Sequence, residues 1–274
     1  MSAAIELRNV SFAYPDGTQA LANVDLSIEI GECIAIVGQN GSGKSTLVRQ
    51  LNGLLRPTSG EVLIEGEPVG RRHVAELART VGLVFQNPDR QIFARSVSGE
   101  VAFGPRNLGR RGEELERDVA AAVRAVGLDG QLDANPYDLG FSRRKLLSLA
   151  SILAMRTPIV VLDEPTTGQD ARGVARIKAI IRDLAASGRT VVAISHDMRF
   201  AAESFARIVV MRAGSIVLDG TPAQVFDAVN VATLASTWLE PPLPAVVGAR
   251  LRLGSTPTET ALVEALRTSP KVGG

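Results

Sequence analysis

The sequence predicts an α/β protein: a parallel sheet covered on both faces, an antiparallel β-rich region before it and a helical insertion within it. Three observations point there. Continuous apolar runs at Cys33-Ile34-Ala35-Ile36-Val37, Ile159-Val160-Val161-Leu162, Thr190-Val191-Val192-Ala193-Ile194 and Arg207-Ile208-Val209-Val210-Met211 alternate with helical stretches, as strands buried on both faces do. Residues 5–30 instead alternate apolar with polar and are broken by turns. A glycine-rich run, Gly38 to Thr46, stands between an apolar strand and a helix-like segment.

In chain order, Ile5-Glu6-Leu7-Arg8-Asn9-Val10 and Val24-Asp25-Leu26-Ser27-Ile28 read as strands about the turn Pro15-Asp16-Gly17. The helix Leu47 to Leu51 follows the glycine run. Pro57-Thr58-Ser59-Gly60 then turns the chain into the strand Glu61-Val62-Leu63-Ile64, and Thr80 to Phe85 reads as a further buried strand. From Gln86 to about Thr157 the periodicity is helical: Glu113 to Val126 is amphipathic, and Lys145 to Met155 is apolar on most sides until Pro158 stops it. Gly173 to Ala186 is a helix, and Gly214 to Gly220 reads as a closing hairpin arm. Residues 240–258, with Pro241, Pro242, Pro244 and Pro257, read as a linker to a short amphipathic helix from Thr258 to Arg267. The expected organisation is one domain over 1–235, with its helical part at about 87–158, and a C-terminal linker and helix over 236–274.

Bulk properties narrow the function. A chain of 274 residues can bury an ample core. Its net charge of +1 argues against a nucleic-acid binder that works by bulk charge. No window of 18 uninterrupted apolar residues is present, so the chain is not expected to cross a bilayer by itself. The start Met1-Ser2-Ala3-Ala4-Ile5-Glu6 lacks a basic region followed by an apolar stretch, so no secretion signal is expected. A lone cysteine, Cys33, forms no internal disulfide, fits a reducing compartment, and reads as a small apolar residue opening a strand.

The chemistry concentrates in Gly38-Gln39-Asn40-Gly41-Ser42-Gly43-Lys44-Ser45-Thr46. Two glycines bracketing four residues, then Lys and Ser, in a strand-loop-helix setting, is the pattern of a phosphate-binding loop. Glycines let successive amide hydrogens face one anion, and the helix that follows adds its positive end. Lys44 is expected on the β- and γ-phosphates and the Ser45 hydroxyl on Mg²⁺, with Gly38, Asn40, Gly41, Ser42, Gly43 and Thr46 completing the ATP cradle. A second element fits the first: the strand Ile159 to Leu162 ends in two carboxylates, of which Asp163 is expected to bind Mg²⁺ and Glu164 to polarise the attacking water.

Over roughly residues 5–230 these features resemble the nucleotide-binding subunits of ATP-binding-cassette transporters. The resemblance implies a P-loop NTPase (RecA-like) core, an antiparallel β subdomain, an inserted α-helical subdomain and ATP hydrolysis driving transport. It also assigns further roles by matching motifs. Tyr14, in Val10-Ser11-Phe12-Ala13-Tyr14, matches the aromatic residue that stacks on adenine; Gln86 matches the glutamine that senses Mg²⁺ and the membrane partner; His196 matches the switch histidine at the γ-phosphate; Asp170 matches the loop that crosses the dimer interface. His73, in Arg71-Arg72-His73, reads as solvated surface. Gln86 to Phe93 with Val101-Ala102-Phe103-Gly104-Pro105 is similar, more narrowly, to the ATPases of energy-coupling factor (ECF) transporters, importers of vitamins or of nickel and cobalt ions. That implies a second cassette ATPase, a transmembrane coupling protein and a substrate-binding membrane subunit as partners, with the chain peripheral on the cytoplasmic face. The tail, Pro241-Pro242 with Leu251 to Leu253, resembles the region those ATPases use for dimer contacts.

One motif departs from the family. Where its signature reads Leu-Ser-Gly-Gly-Gln, this chain has Leu139-Gly140-Phe141-Ser142-Arg143. In the family that loop caps the partner's ATP with a serine hydroxyl, backbone amides and a helix N-terminus. Gly140 has no hydroxyl, Phe141 puts a ring where glycine lets backbone meet phosphate, and Ser142 offers a hydroxyl two places along. Losing one well-aimed transition-state donor costs on the order of 10²- to 10³-fold in rate, about 3 to 4 kcal/mol. The expectation is therefore a heterodimer in which the intact half of this chain is capped by a sound signature from another ATPase. Two other classes stand beside it: an ATP-binding regulatory or structural cassette with little hydrolysis, and a soluble cassette ATPase of translation or DNA repair. The latter usually carries two cassettes or a coiled-coil insertion, and neither is seen in this sequence. A small-molecule kinase fits least, because Asp163, Glu164 and His196 suit water as nucleophile.

Overall fold

A computed structural model gives the structure of residues 3–268; residues 1–2 and the last six of the C-terminal extension, 269–274, lie outside the described residues. The chain opens with β1 (Ala3–Ala13) and β2 (Gln19–Glu29), an antiparallel pair. Their register shifts where Asn9 and Asn23 adopt left-handed backbone (φ 49° and 48°), so alternation there is broken by bulges. Next come β3 (Cys33–Gly38), α1 (Lys44–Leu51), β4 (Ser59–Ile64), the short β5 (Glu67–Pro68), α2 (Val74–Thr80) and β6 (Val81–Val84). Three helices, α3 (Val97–Asn107), α4 (Gly112–Val126) and α5 (Phe141–Met155), stand between β6 and β7 (Ile159–Asp163). The remainder is α6 (Ala171–Ala186), β8 (Thr190–Ser195), α7 (Met198–Ser204), β9 (Arg207–Arg212), β10 (Ser215–Gly220), α8 (Pro222–Val225), α9 (Val231–Ser236), α10 (Leu243–Arg250) and α11 (Glu259–Thr268).

These strands make two sheets: an antiparallel one in the order β2-β1-β4-β5 and a six-stranded one in the order β10-β9-β3-β8-β7-β6, parallel except for β10 on β9. Along β3, Ile34 and Ile36 face a core shared with the antiparallel sheet and α1, while Ala35 and Val37 face a second core built with the helices. Both faces of the parallel sheet are thus buried, which is why its strands are uniformly apolar. Register then sets the chemistry. Val37 pairs with Ser195 and Asp163 with Ile194, so the residues just past β3, β7 and β8 emerge side by side at the strands' C-terminal ends. That is where open α/β sheets place ligands.

Several local features differ from the pattern read in the sequence. Helix α2 was not anticipated, because its seven residues are too few to establish a period. Helix α5 begins at Phe141 rather than Lys145, so the altered signature lies in its first turn. The proline-rich stretch is not all linker: Pro242 and Pro244 sit at the start of α10, where a missing N–H costs nothing. Among the described residues no helix is long and apolar enough to cross a membrane.

Candidate functional site

The glycine-rich run folds as a tight loop from β3 into α1. Gly43 sits at φ 100°, and a Cβ there would lie 2.4 Å from the Ala20 carbonyl oxygen, so no other residue fits. At Gly38 a Cβ would fall 2.5 Å from both the Met211 carbonyl oxygen and Ser42 Oγ, which keeps the loop close to its neighbours. Lys44 is buried with its Nζ curled over the loop, donating to the carbonyls of Gly38 (2.7 Å) and Gln39 (2.8 Å). Burial lowers its pKa, opposed by the charges of Glu164 and Asp163. Tyr14 stands beside the start of α1, its hydroxyl 2.9 Å from Thr46 Oγ1 and its ring edge-on to Phe12. A cleft of about 310 Å³ opens here, walled by Tyr14, Asn40, Gly41, residues 43–46, Gln86 and Glu164.

Of the two carboxylates at the end of β7, Glu164 lines this cleft and Asp163 lies buried behind Ser45. Asp163 is 3% exposed and accepts a hydrogen bond from Ser45 Oγ at 3.4 Å. Burial, and then the neighbouring Glu164 charge, push its pKa up. Glu164 adopts left-handed backbone (φ 52°), a strained state for a glutamate that turns its side chain into the cleft. Its Oε2 accepts from His196 Nδ1 at 2.7 Å, and Thr167 Oγ1 lies 3.4 Å away. The exposed His196 borders a second cavity of about 590 Å³ that shares Asn40, Gln86 and Glu164 with the first.

The altered signature and its neighbour are arranged differently. Gly140, Phe141, Ser142, Arg143 and Asp170 line neither cavity. Gly140 caps α5 without a side-chain bond, Phe141 is partly exposed against Gly168, and Arg143 is exposed. Ser142 Oγ donates to Gln169 Oε1 at 2.9 Å, so the hydroxyl found two places along is engaged within its own chain. Asp170 caps α6, accepting from the Gly173 N–H at 2.7 Å.

A phosphate loop, a strand-end carboxylate pair and a histidine on the second carboxylate occur together in cassette ATPases, and the ABC transporter family pattern matches residues 21–167. The chain belongs to the ABC transporter family. It is 43% identical to the energy-coupling factor transporter ATP-binding protein EcfA of Methanocaldococcus jannaschii, over 82% of each chain. It is 40% identical to the EcfA of Methanothermobacter thermautotrophicus over 94% of this chain and 83% of that one. Among solved structures it resembles cbiO1 from Clostridium perfringens, described as part of the ABC transporter complex cbiONQ, with 31% identity, a TM-score of 0.76 and coverage of 92% of this chain and 100% of that one. This ABC protein is an ECF-type ATPase coupled to transport, built on a P-loop NTPase fold, and it binds nucleotide.

Sequence reasoning missed two groups in this ABC ATPase. Lys145 is 2% exposed and donates from Nζ to the carbonyls of Glu164 and Thr167. Burial lowers its pKa to about 8, against the attraction of Glu164 and Asp163. It follows Arg143 and Arg144 in the sequence, and nothing in that run of cations tells the buried one from the others. The second group is the C-terminal segment from Trp238 to Pro242, which forms one wall of the larger cavity; no sequence feature ties it to the cleft.

Proposed function

We propose that this ATPase powers import of a micronutrient, a vitamin or a nickel or cobalt ion, as one half of an asymmetric ATPase heterodimer on the cytoplasmic face of the membrane. The relatives named for energy-coupling factor transport, and the cbiO1 structure described within a transporter complex, support a transmembrane coupling protein and a substrate-binding membrane subunit as partners. One observation carries the asymmetry. The hydrolytic half is complete, whereas the cap lacks the first hydroxyl at Gly140, carries a ring at Phe141 and has its remaining hydroxyl engaged to Gln169.

In this reading the amides of residues 38–46 hold the phosphates, Lys44 leaves the loop carbonyls for the β- and γ-oxygens, and Tyr14 faces the base. Ser45 Oγ at the cleft wall and the buried Asp163 carboxylate behind it are two oxygen ligands that fit a hard divalent cation that otherwise keeps phosphate and water ligands. Bound Mg²⁺ would neutralise charge on the phosphates, with Gln86 at the cleft wall as a further ligand. Glu164 orients water and accepts its proton. His196, holding Glu164 through Nδ1, leaves Nε2 for the γ-phosphate. Asp170 places the loop 164–170 at the interface while its carboxylate holds α6. A cassette that binds without hydrolysing is disfavoured, because it has no use for a strained glutamate braced by a histidine.

The test compares the purified full chain with the complex obtained by co-expressing it with a second cassette ATPase and the membrane subunits. The expected result is Mg-ATP binding with slow turnover alone and brisk turnover in the complex. Brisk turnover by the isolated chain would overturn the heterodimer.

A further inference from the structure

A third cavity, of about 290 Å³, opens at the opposite edge of the parallel sheet and shares no lining residue with the two at the cleft. Ile159 pairs with Thr190 at the start of β7 and β8, which brings together the residues leading into both strands, Arg156 and Arg189. Much of the remaining lining is apolar. Ala121 and Ala125, one turn apart on α4, share it with Leu153 of α5 and with Ile180 and Leu184 of α6. Small side chains on α4 leave open the space that larger ones would fill.

Three guanidiniums gather at the charged end, and they are not used alike. Arg110 is spent on Asp118 Oδ2 (2.6 Å) and on the carbonyls of Ala154 and Met155, with the exposed Glu114 at 3.6 Å. Arg156 stands 2.6 Å from the other oxygen of Asp118, in left-handed backbone (φ 54°) that glycine or asparagine more often takes at a helix end. Arg189 is half-buried, yet among the described residues its side chain makes no ion pair and no hydrogen bond. Burial pushes its pKa down, and the charges of Arg156 and Arg110 push the same way, as for a cation set among cations. Asp183 lines the same cavity from an exposed position and makes no ion pair with it. A half-buried guanidinium without an acceptor is costly, and an incoming anion would supply the acceptor that the chain does not.

We propose that this cavity binds a small organic monoanion, a carboxylate with a short aliphatic body, whose charge pairs with Arg189 and whose body covers Ala121, Ala125 and Leu184. The planar guanidinium matches a carboxylate through two parallel hydrogen bonds. One unpaired cation suits one negative charge, whereas a dianion would also need Arg156, which Asp118 already holds. The volume lies at the lower end for ligand clefts, which limits the body to a short chain. Bound there, the anion touches α4, α6 and the approach to β8 together, and so ties the helical insertion to the sheet. The site takes nothing from the nucleotide cleft and stands independently of the proposed function.

The experiment titrates the full chain, labelled at isoleucine and leucine methyl groups, with hexanoate and follows the methyl resonances by NMR. Shifts at Leu153, Ile180 and Leu184 are expected, saturating with a Kd below about 10 mM. Hexan-1-ol, which lacks the charge, and inorganic phosphate, which lacks the body, should each bind at least about tenfold more weakly. Arg189→Met keeps much of the bulk and removes the charge; it should weaken hexanoate at least about tenfold and leave hexan-1-ol within about twofold. Arg189→Lys should recover part of the loss. If Arg189→Met fails to fold, Ala125→Leu carries the test, because its exposed position tolerates the change while the larger side chain fills the cavity; it too should weaken hexanoate at least about tenfold. Shifts that cluster elsewhere, no saturation below about 10 mM, hexan-1-ol or phosphate binding as tightly as hexanoate, or folded variants that bind hexanoate like the native chain would each overturn the site.

Discussion

The cleft and the cap of this ATPase solve opposite problems with the same kinds of atom. In the cleft, polar groups are held in place yet left facing open space: the loop amides, Ser45 and Glu164 border a cavity, and Lys44 is parked on carbonyls of its own loop. In the cap, polar groups are consumed internally: Ser142 is paired with Gln169, Lys145 is spent on two carbonyls, and Gly140 has nothing to offer. A neutral group already satisfied within the chain gains little by turning to a ligand, because a new hydrogen bond only replaces an old one, whereas the Lys44 ammonium at the cleft wall gains by exchanging neutral carbonyls for charged phosphate oxygens. Hydrogen-bond accounting therefore separates a region whose polar groups face open space from one whose polar groups are turned inward, the contrast on which the proposed heterodimer rests.

The largest effect is expected where that contrast is sharpest. Glu164→Gln keeps the size of the side chain and a partner for His196 but removes the proposed base, and should lower turnover of the assembled transporter by about 10²- to 10⁴-fold. Mg-ATP should still be retained, because the loop and Lys44 are untouched; single-turnover hydrolysis and nucleotide retention on the purified complex check both. A loss of less than tenfold would place hydrolysis chiefly at the partner's site and reverse the assigned asymmetry.

The next change weakens the cap half alone. Asp118 on α4 is fully buried, paired with Arg110 Nη1 at 2.6 Å, and Arg156 Nη2 approaches it at 2.6 Å from an angle too oblique for a hydrogen bond. Arg110 also donates to the carbonyls of Ala154 and Met155, which ties the end of α5 to α4. Asp118→Ala strips a charge from this knot and should cost about 2 kcal/mol, below the range for a fully dry pair because Arg156 is about half exposed. Urea unfolding reads the loss, and the Mg-ATP Kd of the folded fraction should hold. A parallel loss of Mg-ATP binding would show that the two halves are not separable in this way.

The same division explains what was legible in the sequence. The phosphate loop, the acidic pair and His196 each directly follow a buried strand, so a few adjacent residues and their setting identify them, and parallel register brings them together. The alternation of apolar runs with helices likewise gave the sheet, because burial on both faces leaves an unmistakable composition. Lys145 and Gln169 were not legible. Their partners lie on a different element, and a lone lysine or glutamine looks the same whether it is solvated or buried in a bridge. Helix α10 was hidden for another reason: prolines that open a helix resemble prolines that prevent one until the first turn is located.

The smallest effect tests whether the cap is defective for want of one hydroxyl. At Gly140 a Cβ would meet nothing within 4 Å, and φ is −62°, so Gly140→Ser is accommodated without strain. As the residue capping α5, serine also stabilises the helix by a few tenths of a kcal/mol relative to glycine, about 0.3 kcal/mol, visible as a slight rise in Tm. Turnover of the assembled complex should nevertheless change by less than about twofold, since one added donor does not restore a cap whose other groups are committed elsewhere. Phe141 still packs on Gly168, and Ser142 is still held by Gln169. A gain above tenfold would mean that the single hydroxyl was the whole defect, and that a cap can be repaired while its other contacts stay turned inward.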